Sequence, residues 1–147
     1  MMLRRAVQAD AAALAAILGD WVRETGWMPP LHTRAEDLAH IRHLVAAGRI
    51  TVADTDGPRA FLAREGEQIL ALYAAPEARG LGLGRALVDR AKTESSRLSA
   101  WTFEANEGAR RFYLREGFQE VNRTDGDNEE GLPDILLGWT RPWDARR

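Results

Sequence analysis

The sequence predicts a single α/β domain built on a mixed β-sheet. A chain of 147 residues is long enough to bury one hydrophobic core. Residues 49–75 contain three short apolar runs separated by Asp56-Gly57-Pro58 and Glu65-Gly66, a pattern that predicts an antiparallel meander. A strand, a helix and further strands follow, as in a crossover. Because no repeat, linker or low-complexity tract divides the chain, we expect residues 1–147 to form one domain.

Composition and charge exclude several classes of function. The formal net charge is -2, so a basic surface for nucleic acid is not expected. The absence of cysteine excludes disulfides, thiolate catalysis and cysteine-based zinc sites. His40 and His43 lie three positions apart on an expected helix, but no third ligand lies near them in the sequence. No metal site is therefore expected.

The first third of the chain predicts a strand and two helices. A strand at 3–7 is expected to lead to Asp10 as a helix N-cap, and the helix that follows is expected to end near Gly26. Its apolar run, which begins at Ala11, is too short to span a membrane, so we expect a cytoplasmic protein with no membrane partner. The pair Thr33 and Glu36 fits a capping box that opens the second helix.

Helices and strands alternate again after the meander. The apolar spacing predicts helices over 83–94 and 108–116, and strands over 98–104, 118–124 and 135–141. Gly117 is placed to end the shorter helix. An acidic loop over 125–134 separates the last two strands.

A glycine-rich turn joins the meander to the helix that begins near Leu83. Backbone N–H groups at a helix N-terminus lack helical partners, and glycine lets an anion approach them closely, so the turn predicts an anion site. A Walker loop is excluded because Gly84 is followed by Arg85 rather than by Lys and Ser or Thr. A dinucleotide fingerprint starting at Gly80 places Arg85 at its third glycine, although Glu104 has the spacing of the ribose-binding acid. That interpretation stays open as an alternative.

The spacing that fits is Arg79-x-x-Gly82-x-Gly84, followed by "NEGARRFYLREGF" at 106–118. Together these motifs resemble the GNAT superfamily of N-acetyltransferases, most strongly over 70–118. The resemblance implies a mixed, mostly antiparallel sheet with a splayed central strand pair and helices on both faces. It also implies an acetyl-CoA-dependent acyltransferase that acetylates a primary amine. Homodimers are common among similar proteins, so a homodimer is one expected assembly.

The resemblance also implies which residues hold acetyl-CoA. The strand before the turn is expected to pair its backbone with the pantetheine amides, while N–H groups of the turn bind the pyrophosphate and arginines screen the remaining charge. The implied cofactor-binding residues are Leu72, Tyr73, Ala74, Arg79, Gly80, Leu81, Gly82, Leu83, Gly84, Arg85, Asn106 and Arg110.

Acetyl transfer to an amine requires a proton acceptor and a proton donor. An alkylammonium with a pKa of about 10.4 must lose a proton before it can attack. The resemblance places Tyr113 beside the sulfur, as donor to the leaving thiolate. Gln68 stands where relatives often carry a catalytic glutamate, which leaves Glu67, Glu104 and a water relay as candidates for the base. We expect direct attack in a ternary complex, because no covalent nucleophile is evident.

In this family the first two helices and the final loop usually select the acceptor. Trp21 and Trp27 there offer an apolar wall, and Glu129 and Glu130 offer negative charge for a cationic amine, either small or peptidic. The tryptophans equally suit a core, and the acids a solvated turn. A non-catalytic acyl-CoA sensor is the alternative function, because Gln68 cannot act as a base.

Overall fold

The computed structural model describes residues 1–142. Strands and helices follow one another with bounds within two residues of those expected from the sequence. The elements are β1 (Met2–Arg5), α1 (Ala11–Glu24), α2 (Arg34–Ala46), β2 (Ile50–Asp54), β3 (Pro58–Glu65), β4 (Gln68–Ala74), α3 (Leu83–Glu94), β5 (Arg97–Phe103), α4 (Glu107–Arg115), β6 (Gln119–Thr124) and β7 (Asp134–Thr140).

The seven strands form one sheet in the order β1-β2-β3-β4-β5-β7-β6. Every neighbouring pair is antiparallel except β4 and β5, which run parallel. The mixed, mostly antiparallel sheet expected from the sequence is therefore confirmed. A dinucleotide-binding fold needs a largely parallel sheet, so the alternative based on Gly80 and Glu104 is wrong.

The central pair of strands separates soon after it forms. β4 and β5 pair only at Gln68 with Ser99 and at Ile69 with Ala100. On its other side β4 stays paired with β3 as far as Ala74. Leu70 is the extra residue of a β-bulge in β4, because Ile69 pairs with Arg64 whereas Ala71 pairs with Ala63. A bulge bends its strand, so β4 turns away from β5 here while it stays paired with β3.

Helices cover both faces of the sheet. Phe61 and Leu62 are adjacent on β3 and point to opposite faces. Phe61 packs on Tyr73 with 5.9 Å between ring centroids, and Tyr73 packs on Trp21 of α1 at 5.2 Å. Leu62 instead lies beside Leu87 of α3. Consequently α1 covers one face and α3 the other.

The predicted capping role of Asp10 is wrong. It occupies the N-cap position of α1, but its side chain caps nothing in that helix. Its carboxylate accepts hydrogen bonds from the Val7 N–H at 2.8 Å and from the Arg4 guanidinium at 2.8 and 2.9 Å. The Arg4 hydrogen bond holds the pKa of Asp10 below its usual value. Asp10 therefore anchors the start of α1 to β1 rather than closing the helix end.

The capping box predicted at the start of α2 is confirmed. The Thr33 hydroxyl accepts from the Glu36 N–H at 3.1 Å, and the Glu36 carboxylate accepts from the Thr33 N–H at 3.0 Å. No helix within residues 1–142 combines the length and apolar character needed to cross a membrane. The same residues contain no group of histidine and acidic side chains that could hold a metal ion.

Candidate active site

The separation of β4 from β5 opens a cleft of about 240 Å³. It brings together residues predicted separately for the cofactor, for catalysis and for the acceptor. The cleft is lined by Trp21, Ala60, Leu72, Tyr73, Ala74, Arg79, Gly84, Asn106, Ala109, Phe112 and Tyr113.

The glycine turn keeps its backbone N–H groups available. Gly80 and Gly82 have φ angles of 77° and 80°, in the left-handed region that glycine adopts without strain, and no atom lies within 4 Å of a Cβ built on either residue. The Ala86 N–H donates to the Gly82 carbonyl at 3.1 Å. The N–H groups of residues 80–85 donate to no acceptor in the described part of the chain. Free donors at the positive end of a helix dipole form an anion site.

Gly84 has a different role from the two glycines before it. It lies inside α3, and a Cβ there would come within 3.4 Å of the Phe112 ring on α4. A side chain at Gly84 would thus touch α4, which packs on the N-terminus of α3. Leu81, by contrast, is 69% exposed.

The three predicted arginines lie in different environments. Arg79 lines the cleft, contacts Glu24 at 2.5 Å and donates to the Ala74 carbonyl at 3.3 Å. Arg85 is solvent-exposed on the first turn of α3. Arg110 donates to the Glu104 carbonyl at 2.7 Å, which ties α4 to the end of β5.

Tyr113 of α4 and Asn106, which immediately precedes α4, both line the cleft. The Asn106 side chain caps α4 by accepting from the Ala109 N–H at 3.1 Å. Tyr113 is buried against Phe112 and Phe118, with ring centroids at 5.2 and 5.0 Å. Burial raises the pKa of the Tyr113 phenol above its usual value, and the nearby Tyr73 raises it further.

Neither predicted glutamate base lies in the cleft. Glu67 precedes β4 at the end where β4 and β5 are still paired, and its carboxylate lies 3.8 Å from Arg97. Glu104 follows β5 and lies 4.0 Å from Arg123 on β6. Both are exposed, and neither lines the cleft or the gap between the strands.

An aromatic group borders the cleft on the side of α1. Trp21 meets Trp27 edge to face at 5.9 Å, and Trp27 meets Phe103 of β5 at 5.7 Å. Trp21 also packs on Tyr73 and lines the cleft itself. The predicted wall of tryptophans thus exists, and β4 and β5 add Tyr73 and Phe103 to it.

The acidic loop between β6 and β7 reaches the same side of the molecule. Glu129 lies 2.8 Å from the His32 Nε2, which links the loop to the segment between α1 and α2. Burial raises the pKa of Tyr73 to about 12, and the charges of Glu130 and Asp37 contribute to the shift. Negative charge therefore acts on the Tyr73 hydroxyl at the edge of the cleft.

The sequence prediction missed two features of the site. Tyr73 was expected to act only through its backbone, although its ring joins the aromatic wall. Thr102 was not predicted at all, yet it is buried and lines the gap between β4 and β5. A signal was present, since Thr102 has the same strand parity as the apolar Leu98 and Ala100.

Comparisons with known proteins identify relatives of the chain. A family model described as "Acetyltransferase (GNAT) domain" matches residues 39–120. Peptidyl-lysine N-acetyltransferase YjaB of Escherichia coli (strain K12) is 34% identical over 105 residues, 71% of each chain. The solution structure of apo-form Escherichia coli YjaB matches with a TM-score of 0.78 at 27% identity, covering 96% of this chain and 98% of that one. The structure of yncA from Salmonella typhimurium with its cofactor acetyl-CoA matches with a TM-score of 0.74 at 20% identity, covering 99% and 96%.

These matches confirm the fold class and the enzyme class predicted from the two motifs. The family model spans more than half of the chain, and it includes the whole glycine turn and all of α4. The mixed α/β fold, as a whole, matches the solved acetyltransferases. The chain belongs to the GNAT family of acetyltransferases.

Proposed function

We propose that this chain transfers the acetyl group of acetyl-CoA to the side-chain amine of a lysine in a peptide or protein, by direct attack in a ternary complex. The observation that carries the proposal is the convergence of three features on one cleft. They are the free N–H groups of the glycine turn, the unpaired edge of β4 and the buried Tyr113.

The cleft offers hydrogen-bond donors for the pyrophosphate and for the pantetheine arm of acetyl-CoA. The N–H groups of residues 80–85 would bind the pyrophosphate, and Arg79 and Arg85 would screen its charge. The backbone N–H of Ala75 donates a hydrogen bond to the carbonyl of Arg59 on β3 at 2.7 Å. Because strand amides alternate in direction, the N–H groups of Leu72 and Ala74 point away from β3 and into the gap. They would pair with the extended pantetheine arm as with an added strand.

Acetyl transfer then needs a neutral amine at the thioester. The amine nitrogen attacks the carbonyl carbon, the C–N bond forms as the C–S bond breaks, and coenzyme A leaves as a thiolate. The new amide releases one proton and the thiolate takes up one, so free coenzyme A is the product. Tyr113 keeps its proton at physiological pH, because burial raises its pKa, and it would hydrogen-bond the developing thiolate.

The proton of the incoming ammonium needs a route out of the cleft. Glu67 and Glu104 lie outside the cleft lining. We therefore assign this proton to a water relay through the gap between β4 and β5, rather than to a carboxylate base.

The acceptor side suits a cationic amine carried on an aliphatic chain. Trp21 and Trp27 offer apolar surface and ring faces, and an ammonium interacts favourably with both. Glu130 adds negative charge at the Tyr73 edge of the wall. The name of YjaB specifies a peptidyl-lysine acceptor, which is the acceptor class that this combination favours.

Thiol release from acetyl-CoA with matched acceptors tests the proposal. We expect release with a peptide that contains one internal lysine and a blocked N-terminus, and none when that lysine is replaced by arginine. If coenzyme A raises the melting temperature but no amine, including spermidine, gives thiol release, the non-catalytic sensor is correct instead.

A charge variant tests the acceptor side separately. Glu130→Gln should raise the KM for the lysine peptide about fivefold, which is the loss expected for one partly solvated charge contact, and leave the KM for acetyl-CoA unchanged. Glu120→Gln is the matched control, because Glu120 is exposed on β6 and paired with Arg123. Equal effects of the two variants would assign the acceptor preference to overall charge instead.

A further inference from the structure

Thr102 carries a buried hydroxyl that has no partner in the described part of the chain. It lies on β5 just past Ala100, the last residue of β5 that pairs with β4. The residue is 8% exposed, and its Oγ1 makes no hydrogen bond within residues 1–142. Buried hydroxyls are normally satisfied, and leaving one unpaired destabilises the folded state. An unpaired hydroxyl next to a cleft therefore points to a partner that arrives with a ligand.

The strand register fixes the face to which Thr102 points. Thr102 pairs with the buried Ile135 of β7, whereas its neighbour Trp101 pairs with Leu136 and is 40% exposed. Phe103, the next residue, packs on Trp27 at the side of α1. Because strand side chains alternate, Thr102 points to the opposite face, which is the side of α3 and α4.

Thr102 and Tyr113 both line a small cavity in the gap between β4 and β5. The cavity has a volume of about 90 Å³ and lies between β4 and β5. Its other lining side chains are mostly apolar, and the Asn106 side-chain oxygen is already occupied by the cap of α4. The hydroxyl-bearing side chains of Thr102 from β5, Tyr113 from α4 and Tyr73 from β4 thus line the place where the unpaired edge of β4 would receive the acyl-bearing arm.

We propose that Thr102 is a second hydrogen-bond donor to the sulfur of the acyl donor, beside Tyr113. The inference rests on the proposed function. A thioester sulfur accepts hydrogen bonds weakly, whereas a thiolate is a charged acceptor, so the bond strengthens as the C–S bond breaks. Such a contact favours the transition state over the ground state. Thr102 keeps its proton throughout and only donates a hydrogen bond.

Binding of coenzyme A compared with desulfo-coenzyme A tests the inference without turnover. At about pH 9 a thiol with a pKa near 8.5 is mostly ionised, so the wild-type protein should bind coenzyme A more tightly than the analogue without sulfur. Thr102→Val, which keeps the shape of the side chain, should reduce that preference about tenfold, which is the loss expected for one hydrogen bond to a charged acceptor. Its affinity for desulfo-coenzyme A should not change. Thr102→Ser should retain the preference, because it keeps the hydroxyl.

The controls separate failure of this inference from failure of the proposed function. Thr140→Val, at an exposed position on β7, should bind both compounds as the wild type does. If Thr102→Val keeps the full preference for coenzyme A, the inference is overturned while the proposed function stands. If the wild type binds neither compound, both are overturned. Thr102→Ala provides the same comparison if valine reduces the yield of folded protein.

Discussion

The surroundings of Tyr113 keep its phenol protonated. The side chain is 5% exposed between Phe112 and Phe118, and desolvation is the main cause of its raised pKa. A raised pKa means that the group is a reliable donor but a weak acid. Tyr113 is therefore suited to hydrogen-bond a thiolate and less suited to give up its proton completely. Solvent would supply the proton that finally appears on free coenzyme A.

Tyr113→Phe should lower kcat about 100-fold, because the proposed donor to the leaving sulfur is lost. The dissociation constant of coenzyme A should stay within about twofold, because phenylalanine fills the same space. The wild-type rate should rise with pH toward about 10 as the acceptor lysine loses its proton, without a decline caused by Tyr113. Steady-state kinetics and calorimetric titration of coenzyme A measure these quantities. Equal losses in kcat and affinity would assign Tyr113 a packing role instead.

Among the structural elements, the glycine turn between β4 and α3 shows what local sequence can predict. The spacing of Gly80, Gly82 and Gly84 predicted a strand-to-helix turn with free donors, and the turn has that geometry. The motif did not distinguish the glycines from one another. Gly82 has a left-handed φ that favours glycine, whereas at Gly84 a Cβ would lie 3.4 Å from Phe112 on a later helix. Roles that depend on packing between distant segments are not encoded by spacing.

The same limit explains the two glutamates and Asp10. Strand and helix bounds follow from local periodicity and capping residues, so they were predictable. Glu67 was a candidate base because it adjoins Gln68, the position at which relatives often carry a catalytic glutamate. Its distance from the cleft depends on where β4 and β5 cease to pair. Asp10 likewise stands at a position where the sequence predicts a helix N-cap. Its carboxylate instead forms an ion pair with Arg4 of β1.

Alanine at the two glycine positions should separate their roles. Gly82→Ala should destabilise the fold by about 1 kcal/mol, because it forces a left-handed φ on a residue with a Cβ, and should weaken coenzyme A binding about tenfold. Gly84→Ala should leave coenzyme A affinity within about twofold and change stability by less than about 1 kcal/mol, because helix propensity offsets the close contact with Phe112. Urea unfolding and calorimetry report both quantities. If Gly84→Ala weakens binding as much as Gly82→Ala, the cofactor approaches the Gly84 backbone itself.

Across the sheet as a whole, β4 has two neighbours at its start and only one further along. The first residues of β4 are paired on both sides, whereas after the bulge at Leu70 only β3 pairs with it. An unpaired strand edge usually invites association with another strand. Here the open edge faces a cleft bordered by Trp21 and Tyr113, so it is accessible to a narrow extended chain. The apolar run of β4 carries no sign of the bulge, and the separation of the central strands was predicted only from the resemblance to a family.

Hydrogen exchange should reveal whether the open edge of β4 is where the cofactor arm binds. Without ligand, the amides of Leu72 and Ala74 should exchange much faster than those of β2, which is paired with both β1 and β3. Coenzyme A at about 100 times its dissociation constant should stabilise the whole fold by about 2.7 kcal/mol, slowing globally exchanging amides about 100-fold. Leu72 and Ala74 should gain additional protection through new hydrogen bonds, while Ile69, already inside the sheet, should show only the global effect. If protection increases at residues 80–85 but not at Leu72 and Ala74, the pyrophosphate is bound while the arm follows another path, and the added-strand arrangement is wrong.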